Sequence, residues 1–496
     1  MIKVLKSNYI YLILSFIVVV GFFLRSSGIF SNSFAFTYDV GRDLLAVRDL
    51  VVNHKISLIG ATTGKEGIFY GPVWYWILAF PFIISSGNPQ MIALFMAFCG
   101  ILVVPIGYFL GEKIHGKFLG LTLAAFFSFS PVMIGVSSQI WNPNLIPLFV
   151  IILLSLLIQE SLRSKKTFFV IGLLLGVILE LEIVFGILLI VATGIYVLCT
   201  GNLKQKILQF FIFLAGIILV LFPKIIFDIR HNFLMTRSFF SLFNGPFSEK
   251  LGLSFLSNFP QRLQVLFNLF SDSLTNSNKY LAFYLLALCF VILIYFRKKL
   301  SGTQKKELQI IFITLLTFLI GLSFFSHDIW SHYIIGLPVY FILTITVTVD
   351  IMSKNFKQKK AAILLVVVIL TINFNPVLFL RGIRSPLWEG NSAVYRNQLA
   401  VIDYVYNDTD GEKFSYVAYT PPIHDYTWQY LFLWYGQKKY HYVPSKVTEK
   451  LFYLILEPDY ERPSRLKDWL EIRKNDGKII KEQVVKGGIV VQTRIH

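Results

Sequence analysis

Three charged residues open the chemical reading. Asp39, Arg42 and Asp43 stand at i, i+3 and i+4 in a stretch that begins at Thr37, and apolar Leu44, Val47 and Val51 line one stripe of it. That spacing predicts an amphipathic helix with the three charges on one face near its start. A carboxylate held beside an arginine can accept a proton from an attacking hydroxyl, the work of a general base. The same residues also suit a solvated helix start, with Asp39 as its cap and acidic charge favouring the helix dipole. Downstream, the glycine-rich run Gly60–Pro72 carries Lys65, a cation able to meet a phosphate, and Glu66.

A second cluster places Lys224, Asp228, Arg230 and His231 within eight residues. Compact positive charge next to an apolar slot suits a lipid-linked phosphate or diphosphate; ordinary snorkelling of Lys and Arg at a membrane surface gives the same pattern. Glu180 and Glu182 have no cation beside them in sequence. At membrane depth such carboxylates are candidate site residues, and in a shallow loop they are merely solvated. His327, Asp328, His332 and Tyr333 form a further polar patch, spaced too loosely for a zinc motif, that suits hydrogen bonding near a substrate. Trp141-Asn142-Pro143-Asn144 is the last polar group of interest.

The elements that must hold these groups are membrane helices. Of 496 residues 55% are hydrophobic and only 15% charged, too little charge for a soluble chain of this size. Apolar runs near the length that crosses a bilayer, about 20 residues, fall at 8–24, 91–111, 118–138, 143–160, 167–181, 183–200, 207–224, 280–296, 307–325, 333–351 and 361–380. The 167–200 region is short for two helices, so a break near Glu180–Glu182 is expected. The net charge of +18 does not point to nucleic acid, because Lys and Arg cluster in short connections rather than along one face. Cys99, Cys199 and Cys289 lie inside apolar runs and offer neither a disulfide framework nor metal spacing. The amino terminus reads as an uncleaved first span, with Arg25-Ser-Ser-Gly a weak cleavage site.

One further apolar run, 71–85, decides orientation. If it lies at the interface, Lys3, Lys6, Lys113/Lys117, Arg163/Lys165/Lys166, Lys204/Lys206, Arg297–Lys306 and Lys354–Lys360 all fall inside. If it crosses, the later clusters fall outside, against the positive-inside bias. Its opening Gly71-Pro72 and its Trp74, Tyr75 and Trp76 suit a helix start in an interfacial aromatic belt. The expected protein is thus an all-α polytopic membrane protein of about eleven spans, its membrane domain covering 1–380. It has outer loops at about 25–90, with two juxtamembrane helices, and at about 225–279. The amino terminus is cytoplasmic, and residues 381–496 form a small extracytoplasmic α+β domain. In that domain Phe414–Tyr419, Tyr426–Tyr435, Leu451–Leu456, Arg465–Arg473 and Ile479–Thr493 alternate strand and helix patterns.

On these residues the chain resembles the GT-C membrane glycosyltransferases, in the group of protein O-mannosyltransferases, the lipid A aminoarabinose transferase and the Rgt-type enzymes. Tyr38-Asp39-Val40-Gly41-Arg42-Asp43 is similar to that family's acidic loop motif, and Ile68-Phe69-Tyr70-Gly71-Pro72-Val73-Trp74-Tyr75 to its second juxtamembrane helix. Asp328-Ile-Trp-Ser-His332-Tyr333 resembles a short His-Tyr feature of some members. The resemblance implies an inverting transferase in the plasma membrane that uses a polyprenyl-phosphate sugar and a lipid, glycan or protein acceptor. Asp39, Arg42 and Asp43 would be catalytic, and Lys65, Lys224, Arg230 and His231 would hold the donor phosphate. Glu66, Tyr70, Asn142, Glu182, His332 and Tyr333 would line the substrates. Val40 stands where many members have a second carboxylate and Asn142 where several have an aspartate; these departures from the family pattern speak against a metal bridged by adjacent carboxylates, so a metal-independent mechanism without a cofactor is expected, with a divalent metal not indicated. The rival class is a transporter or flippase of lipid-linked sugars. It would place polar residues near the bilayer midplane rather than at one surface.

Overall fold

The computed structural model describes residues 2–158, 164–199, 203–241, 246–325, 327–355, 359–374, 390–421, 424–445 and 447–496. Arg163, residues 375–389 with the end of the last expected span, and the side chains of Lys3, Lys6, Lys204 and Lys206 lie outside what is described.

The chain begins with α1 (Ile2–Phe30), α2 (Tyr38–Val51) and α3 (Val73–Ser85). Next come α4 (Pro89–Ile101), α5 (Val103–His115), α6 (Lys117–Phe129), α7 (Pro131–Ser137), α8 (Ile146–Ile158), α9 (Lys165–Leu181) and α10 (Ile183–Cys199). The bundle ends with α11 (Leu203–Arg230), α12 (Leu234–Ser241), α13 (Pro246–Leu274), α14 (Lys279–Tyr295), α15 (Gly302–Ser323), α16 (Leu337–Asn355) and α17 (Lys360–Asn373).

Among the described residues, five helical stretches can cross a bilayer by length and hydropathy (in α1, in α4 with α5, in α11, in α15 and in α16), or seven if the bent pairs α6–α7 and α13–α14 each count as one. Shorter apolar helices are α3 with 13 residues, α8 with the turn before it, α10 and α17. The expected loop 225–279 is instead largely helix, because α11 runs on to Arg230 and α12 and α13 follow it. Helix α13 packs on α15 and α16, while Phe233, Phe240, Leu256 and Leu263 of this region stay exposed. The expected break between α9 and α10 is present, with Glu182 alone in extended conformation.

The core is α16. Its span is 94% buried in the protein, against 17% for α11, so α11 lies at the periphery with its apolar side chains turned outward. The bend of 60° between α6 and α7 follows from Pro131, which has no N–H to give the Phe127 carbonyl. Arg25 of α1, 1% exposed, makes good the loss by donating to the carbonyls of Phe127 at 2.8 Å, Ser128 at 3.0 Å and Gly21 at 2.9 Å. This residue is a clamp inside the bundle.

At one end of the bundle His115 sits between Asp350 at 2.6 Å and Glu307 at 2.9 Å, joining α5, α15 and α16. His332 precedes Asp350 by 18 residues along the same segment, roughly 27 Å at helical rise, so the residues around His332 occupy the opposite end.

Residues 390–496 form a four-stranded sheet, β1 (Phe414–Tyr419), β2 (Leu451–Leu456), β3 (Lys478–Val484) and β4 (Val490–Ile495), in the order β1-β2-β4-β3. Strand β1 pairs with β2 in parallel, and the other pairs are antiparallel. Helices α18 (Tyr395–Asp408), α19 (Tyr426–Leu431), α20 (Gln437–Tyr440) and α21 (Pro463–Ile472) complete this part. It docks on the first loop. Tyr395 packs between Phe34 and Phe36, Tyr430 donates to the Gly87 carbonyl at 2.5 Å, and Trp434 donates to Ser86 at 2.9 Å.

Candidate functional site

Helix α2 forms as its spacing predicts, and its first turn carries the acidic motif. Arg42 binds Asp39 at 2.8 Å and Asp43 at 2.8 Å, so one guanidinium fork bridges both carboxylates. The two acids differ in environment. Asp43 is 2% exposed, and its second oxygen accepts from Trp74 Nε1 at 2.8 Å. Burial pushes its carboxyl up to about 6, against the pull of Arg42 and Trp74. Asp39 keeps 38% of its side chain exposed and has an oxygen free for a substrate. It forms no side-chain cap with the helix start, which removes the capping explanation for its presence; Thr37 occupies the cap position.

Gly41 explains itself only in the folded chain. A Cβ there would fall 2.6 Å from backbone atoms of Tyr426 and Thr427, so the glycine lets α19 seat against α2. As a result Tyr426 and His424 stack near Tyr38, whose ring lies 5.5 Å from Arg42.

The glycine-rich run is a hairpin. Gly60 N donates to Tyr70 O, Tyr70 N to Ala61 O, and Thr63 N to Ile68 O, which leaves Lys65 and Glu66 at the tip. The hairpin rests on the end of α11 through Phe69 and Phe227, 5.6 Å apart, and on α12 through Gly67 and Ser238. Lys65 therefore shares an end of the molecule with exposed Arg230 and His231, the latter stacked on Phe227 at 4.0 Å. Asp228 of the same cluster is structural, because it accepts from Met235 N, Thr236 N and the Thr236 hydroxyl and thereby caps α12.

The base of the hairpin meets the α9–α10 break. Glu180, wholly buried, pairs with Lys224 at 2.9 Å, and Gly71 lies directly over it. Lys224 is thus engaged by a carboxylate that sequence spacing did not connect to it. Glu182, 1% exposed, accepts from the Tyr70 hydroxyl at 3.1 Å and lies 3.9 Å from His332 Nε2. Burial and Glu182 raise the Tyr70 phenol far above its usual range, and Arg42 is near enough to oppose them. Asn142 donates to the Leu181 carbonyl, and Trp141 and Tyr333 both meet His332 edge to face. Tyr70, Asn142, Glu182, His332 and Tyr333 thus come together around one helix break, with Asp39–Arg42 beside them. Among the described residues, Arg262 is the cation that sequence reading passed over. Almost fully buried, it donates to the carbonyls of Leu322, Phe325 and His327 and pins the loop that carries His332.

A bundle of this form, with an acidic helix α2, a glycine-led helix α3 and a carboxy-terminal part whose α19 seats on α2 while Tyr430 and Trp434 reach the turn after α3, has the GT-C fold of membrane glycosyltransferases. Among solved structures it is similar to ArnT, the aminoarabinose transferase of Cupriavidus metallidurans, bound to undecaprenyl phosphate. The TM-score is 0.56 and the identity 13%, with 98% of each chain covered. The apo form of that ArnT gives a TM-score of 0.49 at 11% identity, again over 98% of each chain. The oligosaccharyltransferase of Archaeoglobus fulgidus, in complex with zinc and sulfate, gives 0.49 at 14% identity over 90% of this chain and 68% of that one. No family profile matches the sequence, and no curated protein matches it.

Proposed function

We propose that this chain is a membrane glycosyltransferase that moves a sugar from a polyprenyl-phosphate carrier to a hydroxyl of a lipid, glycan or protein acceptor at the outer face of the plasma membrane. The observation that carries the reading is the presentation of Asp39. Arg42 holds it at 2.8 Å at the start of α2, partly exposed, in a chain whose fold over 98% of its length is that of ArnT. The undecaprenyl phosphate bound by that protein supports the same donor class here.

In this reading Asp39 takes the proton of the acceptor hydroxyl as its oxygen bonds to the anomeric carbon. The bond from that carbon to the phosphate oxygen breaks on the opposite face, and polyprenyl phosphate leaves with the electron pair, so the configuration inverts. Asp43 serves as the anchor. Both of its oxygens are held, by Arg42 and Trp74, so it keeps Arg42 aimed at Asp39. Lys65, with Arg230 and His231 at the same end, meets the charge developing on the phosphate, while Lys224 acts through Glu180 to fix the hairpin base. Glu66, Tyr70, Asn142, Glu182, His332 and Tyr333 line the substrates. No metal takes part: the neighbour of Asp39 in sequence is Val40, buried and apolar, and the nearest second carboxylate, Asp43, is already engaged.

The supporting topology has about eleven crossings, α3 at the outer interface, the basic turns and amino terminus in the cytoplasm, and an extracytoplasmic domain from residue 381. The test is incubation of the purified protein with radiolabelled polyprenyl-phosphate sugars and membrane extract. Transfer of label is expected, and Asp39→Asn should lower turnover by about 10²–10⁴-fold while donor binding persists. Unchanged turnover would remove Asp39 from the chemistry, and label that crosses the bilayer without transfer would favour a carrier.

A further inference from the structure

Between α2 and α3, at the base of the hairpin, lies a cleft of about 370 Å³ to which the preceding scheme gives no role. Its size falls within the roughly 300–1,000 Å³ of small-ligand sites. Tyr75 and Trp76 of α3 supply aromatic walls, and Asp49, Lys55 and Ser57 supply polar groups. Trp76 is 44% exposed, which leaves much of its indole uncovered by the protein.

The chemistry of the lining narrows the occupant. Asp49 accepts from Asn53 at 2.6 Å and pairs with Lys55 at 3.3 Å, so the cleft carries a balanced charge and no unpaired cation. A phosphate would find nothing to neutralise it there. Leu50, Ile56, Ile59 and Pro72 complete an apolar wall, but an aliphatic chain laid on it would also cover Asp49, Lys55 and Ser57 without offering them hydrogen bonds, at the cost of desolvating them. A neutral, hydroxyl-rich ring meets both demands, because its C–H faces cover the aromatic rings while its hydroxyls bond with the polar groups.

Position ties the cleft to the reacting centre. Tyr75 lines it and also lies against Arg42, the residue that holds Asp39. Ala46, another lining residue, follows Asp39 by seven positions on α2, a distance of about 10 Å along the helix. The phosphate-side cations Lys65 and Arg230–His231 lie toward the hairpin tip, whereas Gly60 and Pro72 at its base border the cleft.

We propose that this cleft binds a neutral saccharide unit of the acceptor and presents the neighbouring hydroxyl to Asp39. The assignment to an acceptor rests on the transferase reading above.

Saturation-transfer NMR tests it, with the full-length protein in nanodiscs and the methyl glycosides of mannose, glucose, galactose and N-acetylglucosamine as probes. Saturation transfer to at least one glycoside is expected. It should weaken by about fivefold or more in Trp76→Ala and likewise in Asp49→Asn, return in Trp76→Tyr, and persist in Asp39→Asn. Asp49 and Trp76 are both substantially exposed, so the fold should survive these changes. Because binding is read rather than turnover, glycoside binding through Trp76 in a protein that transfers no sugar would refute the transferase and leave the saccharide site standing. The site is overturned if no glycoside receives saturation or if Trp76→Ala and Asp49→Asn leave it unchanged. Displacement by saturating farnesyl phosphate would assign the cleft to the donor instead and overturn the acceptor proposal.

Discussion

Replacing Gly71 by alanine should break the joint between the hairpin and the α9–α10 break. A Cβ on Gly71 would fall 1.0 Å from Glu180 Oε2 and 1.8 Å from its Cδ. The backbone at Gly71 is not in the left-handed region, so it accepts alanine by itself, and the whole penalty must come from Glu180. That carboxylate is fully buried and its partner Lys224 keeps 13% of its side chain exposed. Breaking a buried ion pair costs about 3–5 kcal/mol, and because Lys224 can still reach water the lower end, about 3 kcal/mol, applies here. A clash with a single side chain disappears when that side chain is cut back. In a Glu180→Ala background, Gly71→Ala should therefore cost under about 1 kcal/mol, a coupling of about 2 kcal/mol. Reversible unfolding in mixed detergent micelles, followed by tryptophan fluorescence on the wild type, both single variants and the double variant, measures this coupling. Additive losses would show that Gly71 answers to something other than Glu180 and would refute the argument.

Arg25→Met should destabilise the bundle by more than about 2 kcal/mol, because it leaves the Phe127 and Ser128 carbonyls unpaired where no water replaces the donor. The same micelle assay reads it, and an unshifted unfolding midpoint would contradict the clamp. Glu457 gives a pH effect in the carboxy-terminal part: burial pushes its carboxyl from the ordinary 4.5 up to about 7, with Trp428 and Ser392 pulling the other way. A raised folded-state value means that its contribution is fully present below about pH 4.5 and is lost as pH rises through 7, by about 3 kcal/mol in total. Glu457→Gln keeps the acceptor for Trp428 Nε1 and should flatten the fall in melting temperature between pH 5 and 8; an identical slope in both proteins would rule the residue out.

What was legible in the sequence followed from periodicity and from expensive residues. The spacing of Asp39, Arg42 and Asp43 placed them on one face of α2, and the strand patterns of 414–419 and 451–456 stand in the sheet at those positions. The break at Glu182 followed from counting residues against bilayer thickness. The missed parts depend on contacts distant in sequence. Nothing near Lys224 announces Glu180, 44 residues earlier, and nothing near Gly41 announces Tyr426. Helix α13 hid because Glu249, Lys250, Asn258 and Arg262 dilute its apolar character. Once folded, Asn258 and Arg262 face carbonyls after α15 rather than solvent, so the dilution is local and polar groups lie inside. Pro131 is the counterexample in which a signal was present: a proline within an apolar run foretells carbonyls needing donors, and Arg25 is a cation inside the same layer.

The functional reading then turns on which polar groups are already satisfied. Arg25 donates to three carbonyls, Asp228 accepts three bonds while capping α12, and Asp43 is held by Arg42 and Trp74. Each is buried where an unmet bond would be costly, and each has little left to offer a substrate. Asp39 is the exception on the same helix. It shares the guanidinium that fixes Asp43, yet it stays open on its other side. In the proposed mechanism burial separates the anchor, Asp43, from the base, Asp39, within a single turn: the buried acid supplies rigidity, and the exposed one supplies a free lone pair at a fixed place. On that proposal, exchanging the two environments would leave the charges unchanged and remove the chemistry, so the motif's spacing carries the proposed function only with Trp74 beneath it.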